Sequence, residues 1–336
     1  MPLTVLPFVQ QMMIRYVMST YLALGLIGNL FSLMVFCKSS HQRTPCSLYL
    51  IALSIFAIIY LLWSVVPLLY TLDHTDPQIQ SLFYCKIRLY GSHVLGQYVR
   101  FTVVFACADR FFITRTSARI RAWSSMQTAR RLISIMCLVW LIFGSHLPVF
   151  MTIRNGTCWM FDFYKFFYPI YQTILVGIVP PVLMTVFGIL TIRALHQRHT
   201  SHNHVRQKDR DLMRMLIAEI FINISTSITF SANLLYGTAT FFVTDKTTIR
   251  IEIEVFVNFL SQFLIHLLSV APFYLFIILT RILRGHPSML VQVHLKTCSC
   301  YSNAHWSKFN NDLSAERSNH QKFSLIITKY QLEFYA

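Results

Sequence analysis

The residues of this chain best placed to do chemistry are charges set in apolar surroundings. Asp109 and Arg110 stand side by side straight after the stretch VVFACA, Arg100 lies ten residues before Arg110, and Glu219 interrupts MLIAEIFI. An adjacent carboxylate and guanidinium at the end of an apolar stretch have two readings. They are the first charges past a buried helix, or a pair that exchanges partners during a conformational change. No nucleophile beside a base and no spaced His and Cys set of the kind that holds a metal stands out, so neither an enzyme nor a metal or other cofactor is expected. Four histidines do fall close together in RALHQRHTSHNHVRQKDRDLMR, but they lie among basic residues in a polar stretch and read as a solvated loop.

Such charges need elements to hold them, and composition says what kind. Of the 336 residues, 55% are hydrophobic and only 12% are charged, about half the charged share of a soluble domain. The apolar residues gather in seven runs with at most one Asp, Glu, Lys or Arg each: 16–37, 44–72, 89–108, 132–153, 166–192, 220–244 and 255–280. Each has about the 20 residues that a helix needs to cross a hydrocarbon core of ~30 Å. Backbone polar groups in lipid must be satisfied within the segment, which makes these runs helices. The expected fold is an all-α membrane protein, a seven-transmembrane helix bundle. It divides into a short extracellular N-terminus (1–15), the bundle (16–284) and a cytoplasmic tail (285–336) expected to be poorly ordered. No cleavable signal peptide is apparent, so the first helix would act as its own insertion signal.

Charge then orients the bundle. With the N-terminus outside and the C-terminus inside, the inner loops 38–43, 110–131 and 193–214 carry 14 Lys and Arg, against six in the outer loops 73–88, 154–165 and 245–254. That asymmetry is the usual one. The net charge of +16 thus faces anionic lipids and acidic partner surfaces, and no nucleic-acid partner is expected. Of eight cysteines only Cys85 and Cys158 fall on the oxidising outer side, where they would tie the top of helix 3 to the loop between helices 4 and 5. Cys298 and Cys300, in the tail, are palmitoylation candidates. Asn155-Gly156-Thr157 is a glycosylation sequon on the outer side.

With that topology, specific residues from about Tyr16 to Arg284 resemble the rhodopsin-like (class A) G-protein-coupled receptors. Helix 1 carries Gly28-Asn29 in GLIGNL. Cys85 stands 25 residues before Arg110 of Asp109-Arg110-Phe111, helix 4 has Trp140, helix 5 has Pro180-Pro181, and helix 7 has Pro272 in SVAPFYLF. RDLMRMLIAEI and FYLFIILTRILRG are similar to invertebrate FMRFamide-like neuropeptide receptors. The chain also departs from the family. Ala57, Val99 and Ala271 stand where the family has polar groups around an internal sodium ion, so no sodium binding is expected there. Ser227 and Thr229 replace the helix 6 Trp and Pro, and Leu275 ends the helix 7 motif.

The resemblance implies a multi-pass receptor of the plasma membrane whose partners are an extracellular ligand, membrane lipids and a heterotrimeric G protein. Asp109, Arg110 and Phe111 would form its coupling switch. Its ligand pocket would draw on Ser92, His93, Gly96, Gln97, Trp159, Tyr236 and His266. Ser92 replaces the ligand-pairing Asp of amine receptors, so a peptide or another non-amine small molecule is expected. Helices 3 and 6 would be neighbours, which suggests an intramembrane ion pair between Arg100 and Glu219, helped by Asn223. Buried charges in lipid cost at least ~2.5 kcal/mol and generally find partners. Two other functions remain in view. One is a receptor-like scaffold that no longer signals, and the other is a seven-helix transporter or channel, although the internal repeats and broken helices of transporters are not found.

Overall fold

In the computed structural model, residues 5–37, 44–154, 156–199, 207–240, 243 and 245–284 are described. Asn155, Cys298 and Cys300 lie outside them. Among the described residues the chain forms seven long helices, here α1 (Leu6–Phe36), α2 (Pro45–Tyr70), α3 (Leu82–Ile113), α4 (Met126–Phe150, with a turn at 144–145), α5 (164–199), α6 (Gln207–Ala239) and α7 (248–284). Local chemistry starts several of them. Pro45 opens α2, where its missing N–H is no loss. The hydroxyls of Ser81, Ser125 and Thr247 accept from the backbone N–H of Tyr84, Thr128 and Arg250 and cap α3, α4 and α7.

Helix α1 begins at Leu6, well before the first apolar run, and so residues 6–15 are not an extended N-terminal segment. Pro7 fits the first turn, and Arg15 bonds Asp73 at 2.6 Å beyond the end of α2 instead of ending the helix. Helix α7 likewise starts at Thr248 and turns at His266 before continuing from Leu267. In α5 a π-helical turn, Thr173–Ile178, comes just before Pro180 and Pro181 remove two backbone donors.

Five of the seven helices, α1, α2, α4, α5 and α7, are long and apolar enough to cross a membrane. The chain is therefore a helical membrane protein. The other two carry buried polar residues; α3 is largely enclosed, while α6 keeps an exposed face at Phe221, Ile228, Leu235 and Tyr236. Helix α3 packs against α2, α4, α5 and α6, while α1 joins α2 to α7 and α6 joins α5 to α7. Apolar side chains point outwards, among them Leu138 and Ile142 of α4 and Ile174, Ile178 and Val182 of α5. Buried positions include His93, Gln97, Arg100, Asp109 and Arg110 of α3 and Glu219, Asn223 and Ser227 of α6. This distribution is what a bundle solvated by lipid requires.

An apolar core formed by Tyr49, Leu53, Val103, Cys107, Met184, Leu216 and Ile220 joins α2, α3, α5 and α6 towards the inner half. Asn29 ties α1 to α7, donating through Nδ2 to the carbonyls of Gly25 and Ser269, each at 2.8 Å. The same helices meet at Tyr274, whose hydroxyl donates to the Leu24 carbonyl at 2.9 Å. Helices α2 and α3 come closest at Gly91. A Cβ there would lie 2.5 Å from the indole nitrogen of Trp63, and that indole is held by its own hydrogen bond to the Arg88 carbonyl at 3.0 Å. Gly91→Ala should therefore destabilise the bundle by about 1–3 kcal/mol through overpacking, read as a lower unfolding midpoint of the purified protein in detergent.

Candidate functional site

The inner end of α3 holds the Asp109–Arg110 pair. Arg110 Nη2 donates to Asp109 Oδ2 at 3.1 Å, and both side chains are almost fully buried, 3% and 4% exposed. The second carboxylate oxygen is also engaged. Ser124, in the connection that leads into α4, donates to Asp109 Oδ1 at 2.6 Å. Phe111 covers the outer flank, with its ring 5.9 Å from that of Phe187 on α5 and the Arg115 guanidinium 4.6 Å over its other side. The loop thus reaches the pair through Ser124, and the next residue, Phe111, meets α5 through Phe187. Sequence reasoning found Asp109, Arg110 and Phe111 but missed Ser124, because nothing in SS before a helix says which serine reaches back 15 residues.

At the outer end Cys85 and Cys158 form a disulfide with their Cα atoms 5.8 Å apart. Cys158 belongs to a hairpin that the sequence reading did not anticipate, made of β1 (Met151–Arg154) and β2 (Thr157–Met160) in antiparallel register. Arg154 pairs with Thr157, and Gly156 in the turn has φ +71°. An Asn-Gly dipeptide between two strand-like runs was the available signal. After β2, Asp162 takes a left-handed backbone with φ 57° and binds Arg154 through both carboxylate oxygens at 2.9 and 3.2 Å.

The residues expected to form one ligand pocket separate into two groups. Trp159 and Tyr236 line an open cleft of about 210 Å³ between the hairpin, α5, α6 and α7, together with Lys165, Phe166, Asn233, Glu254 and Asn258. Its α6–α7 wall is braced by Glu254, which accepts from Lys246 at 2.6 Å, from Arg250 at 3.0 Å and from the Tyr236 hydroxyl at 3.1 Å. A hydrogen bond from Asn233 Nδ2 to Asn258 Oδ1 at 3.0 Å continues that wall. The cleft is smaller than the roughly 300–1,000 Å³ of common small-molecule sites, which suits one end of a longer ligand.

Ser92, His93, Gly96, Gln97 and His266 do not line this cleft. They lie deeper, where packing has already claimed several of them. His93 Nε2 shares a hydrogen bond with the Tyr171 hydroxyl at 2.9 Å and meets the edge of Trp140. Ser64 donates to Ser92 at 3.4 Å. His266 stacks on Tyr60 with ring centroids 5.2 Å apart and shares its Nδ1 hydrogen with the Gln262 carbonyl at 2.7 Å. Gln97 is fully buried, and neither amide atom has a partner in the protein.

The expected Arg100–Glu219 ion pair does not form. Arg100 turns towards the outer end, where Nη1 donates to the Gly96 carbonyl at 3.0 Å. Both Glu219 carboxylate oxygens are buried without a hydrogen-bond partner. Glu219 lies within electrostatic reach of Cys107, which is seven residues and so about 10 Å along α3 from Arg100. Long side chains on a helix lean towards its N-terminus, which takes the Arg100 guanidinium further from Glu219. Asn223 does not bridge the gap, since its carbonyl oxygen accepts instead from Ser227 at 3.1 Å. At the positions where the resemblance implied a lost sodium site, Ala57 and Val99 are packed into the apolar core, and Ala271 is buried as well.

Comparison with protein-family models gives no match, and a search of curated proteins finds no relative. The inner pair can be probed on its own terms. Asp109→Asn removes the carboxylate from a buried guanidinium and should lower stability by about 3–5 kcal/mol. Ser124→Ala removes one hydrogen bond to a charged group, a loss of about 1–3 kcal/mol. Unfolding midpoints should fall in the order wild type, Ser124→Ala, Asp109→Asn.

Proposed function

We propose that the chain is a plasma-membrane receptor of the rhodopsin-like kind, passing the binding of an extracellular ligand to a heterotrimeric G protein. One observation carries this reading: the closed Asp109–Arg110 pair at the inner end of the central helix, held by Ser124 from the following loop. A pair with no task beyond solvating a helix end would stand in water. This one is desolvated, and opening it exposes a guanidinium on the cytoplasmic side. Arg110 then leaves Asp109 and meets the G protein, while Phe111 releases Phe187 on α5.

The ligand enters at the other end of the same bundle. The cleft under Trp159 offers aromatic surface, a cation at Lys165 and carboxamides at Asn233 and Asn258, which suits the end of a peptide better than a small amine. Helices α5, α6 and α7 all contribute to it, and α5 and α6 also pack on α3. A ligand that binds better when α6 has moved away from α3 shifts the population towards the open state by its differential affinity, generally 1–3 kcal/mol.

A second reading, a receptor-like scaffold that does not couple, is favoured by the apolar packing of Ala57, Val99 and Ala271, which leaves the centre of the bundle without the family's polar relay. A peptide-library screen in cells, with calcium and cyclic-AMP readouts, separates the two. The receptor reading expects at least one peptide to give a response that Arg110→Ala reduces tenfold or more at equal surface expression. A response unchanged in Arg110→Ala overturns the coupling mechanism. Silence across the library, with no rise in basal signalling for Asp109→Asn, is the result the scaffold reading expects.

A further inference from the structure

Arg100 is a charge without a counter-charge. Its side chain is buried, 5% exposed, about three turns above Arg110 in the middle of a helix that four others enclose. A guanidinium has five N–H donors and does not give up its proton in proteins. Among the described residues Nη1 donates to the Gly96 carbonyl, while Nε is buried with no hydrogen-bond partner. Among the described residues no carboxylate comes within ion-pair distance of it. Removing an unpaired cation from water costs several kcal/mol even after relaxation, more than one carbonyl bond returns.

The surroundings of the guanidinium are polar in a particular way. Gly96 lies one turn before Arg100, so close that a Cβ there would come within 3.1 Å of Nη1 and 3.5 Å of the Tyr60 ring. Gln97, three residues from Arg100 on the same helix face, keeps both amide atoms buried and unpartnered. From α2 and α7, Tyr60 and His266 stack together beside the cation and lie within its electrostatic reach. His266 Nε2 also has no partner in the protein. The cation and an idle amide N–H therefore lie on one face of α3, beside Tyr60 of α2 and His266 of α7, and the missing Cβ at Gly96 lets the guanidinium and the Tyr60 ring pack close to the α3 backbone.

We propose that Arg100 anchors a binding site for a small monovalent anion in the core of the bundle. Arg100 supplies the charge and the Gln97 amide a further donor. The same chemistry would recognise chloride from solution or the carboxylate of a ligand reaching down from the outer side. The inference does not depend on the chain being a receptor, since it rests on the buried charge and not on signalling.

The test uses the full chain purified in detergent and unfolded by heat at constant ionic strength, with the bulky sulfonate MES exchanged stepwise for chloride or for acetate. The unfolding midpoint should rise by about 2–4 °C per tenfold increase in the bound anion above its dissociation constant. A rise with chloride alone assigns the site to an inorganic anion, and a rise with acetate assigns it to carboxylates. Identical midpoints in MES, chloride and acetate overturn the proposal. Arg100→Met should flatten the dependence, and an undiminished rise in that variant also overturns it. Should Arg100→Met fail to accumulate, Arg100→Lys keeps the charge but loses the planar fork. It should then shift the anion concentration at half-effect tenfold or more, and an unmoved value counts against the site.

Discussion

Everything in this bundle follows from having to keep a polar helix inside an apolar solvent. Helix α3 carries His93, Gln97, Arg100, Thr102, Asp109 and Arg110 on buried faces. A hydrocarbon core has no water with which to satisfy them, so α3 is viable only when wrapped. The wrapping helices show a division of labour. Their outer faces are Ile, Leu, Val and Phe, and their inner faces return hydrogen bonds: the Tyr171 hydroxyl to His93, and the Cys137 carbonyl to the Tyr98 hydroxyl at 2.8 Å. Tyr98 in turn places Phe56 against α3 with ring centroids 5.0 Å apart. Polar satisfaction and apolar packing are thus interleaved along one helix instead of being assigned to separate regions.

The two ends of α3 are fixed by different chemistry, and the difference matters for what each end can do. The outer end is joined covalently through Cys85 to the hairpin, and the hairpin is braced by Arg154 and Asp162. At the other end Ser124 of the following loop holds Asp109 by a hydrogen bond, beside the Asp109–Arg110 pair that lies within α3 itself. A covalent tie resists motion at any load, while a buried ion pair resists only until another group offers Arg110 or Asp109 an equal partner.

Much of this was legible in the sequence. Long apolar runs gave the helices because lipid leaves the backbone no other choice. Cys85 and Cys158 are the pair the sequence reading joins, and the Asp109–Arg110 pair stands out as charge straight after an apolar run. The rest was hidden for identifiable reasons. Apolar run length places a helix end poorly when charged residues such as Arg15 find partners beyond the neighbouring helix. Asn155-Gly156 was read as a sequon, although the same dipeptide is a turn signal. The pocket residues split because spacing along α3 fixes their order but not which of them α5 and α7 will cover. Arg100 and Glu219 were matched by the same error. Sequence gives the rise along each helix and says nothing of the relative height of two helices that cross at an angle.

That mismatch leaves two charge-bearing side chains unpaired about two turns apart, and they are not equivalent. A carboxyl can answer desolvation by taking up a proton, after which it is a buried polar group that lacks hydrogen bonds. A guanidinium has no such escape, and its charge must be met by another charge or by water. Glu219 sits against the apolar core beside Cys107, an environment that a neutral acid tolerates. Arg100 sits beside an amide, an imidazole and a glycine, groups that can help to coordinate an ion but cannot neutralise it. Had the two been at one height, they would have locked α3 to α6 and opposed any motion of α6. Held apart, they leave α6 joined to α3 mainly by Leu216, Ile220 and their apolar neighbours, contacts that can slide. The missing ion pair is therefore consistent with a bundle in which α6 is the element free to move.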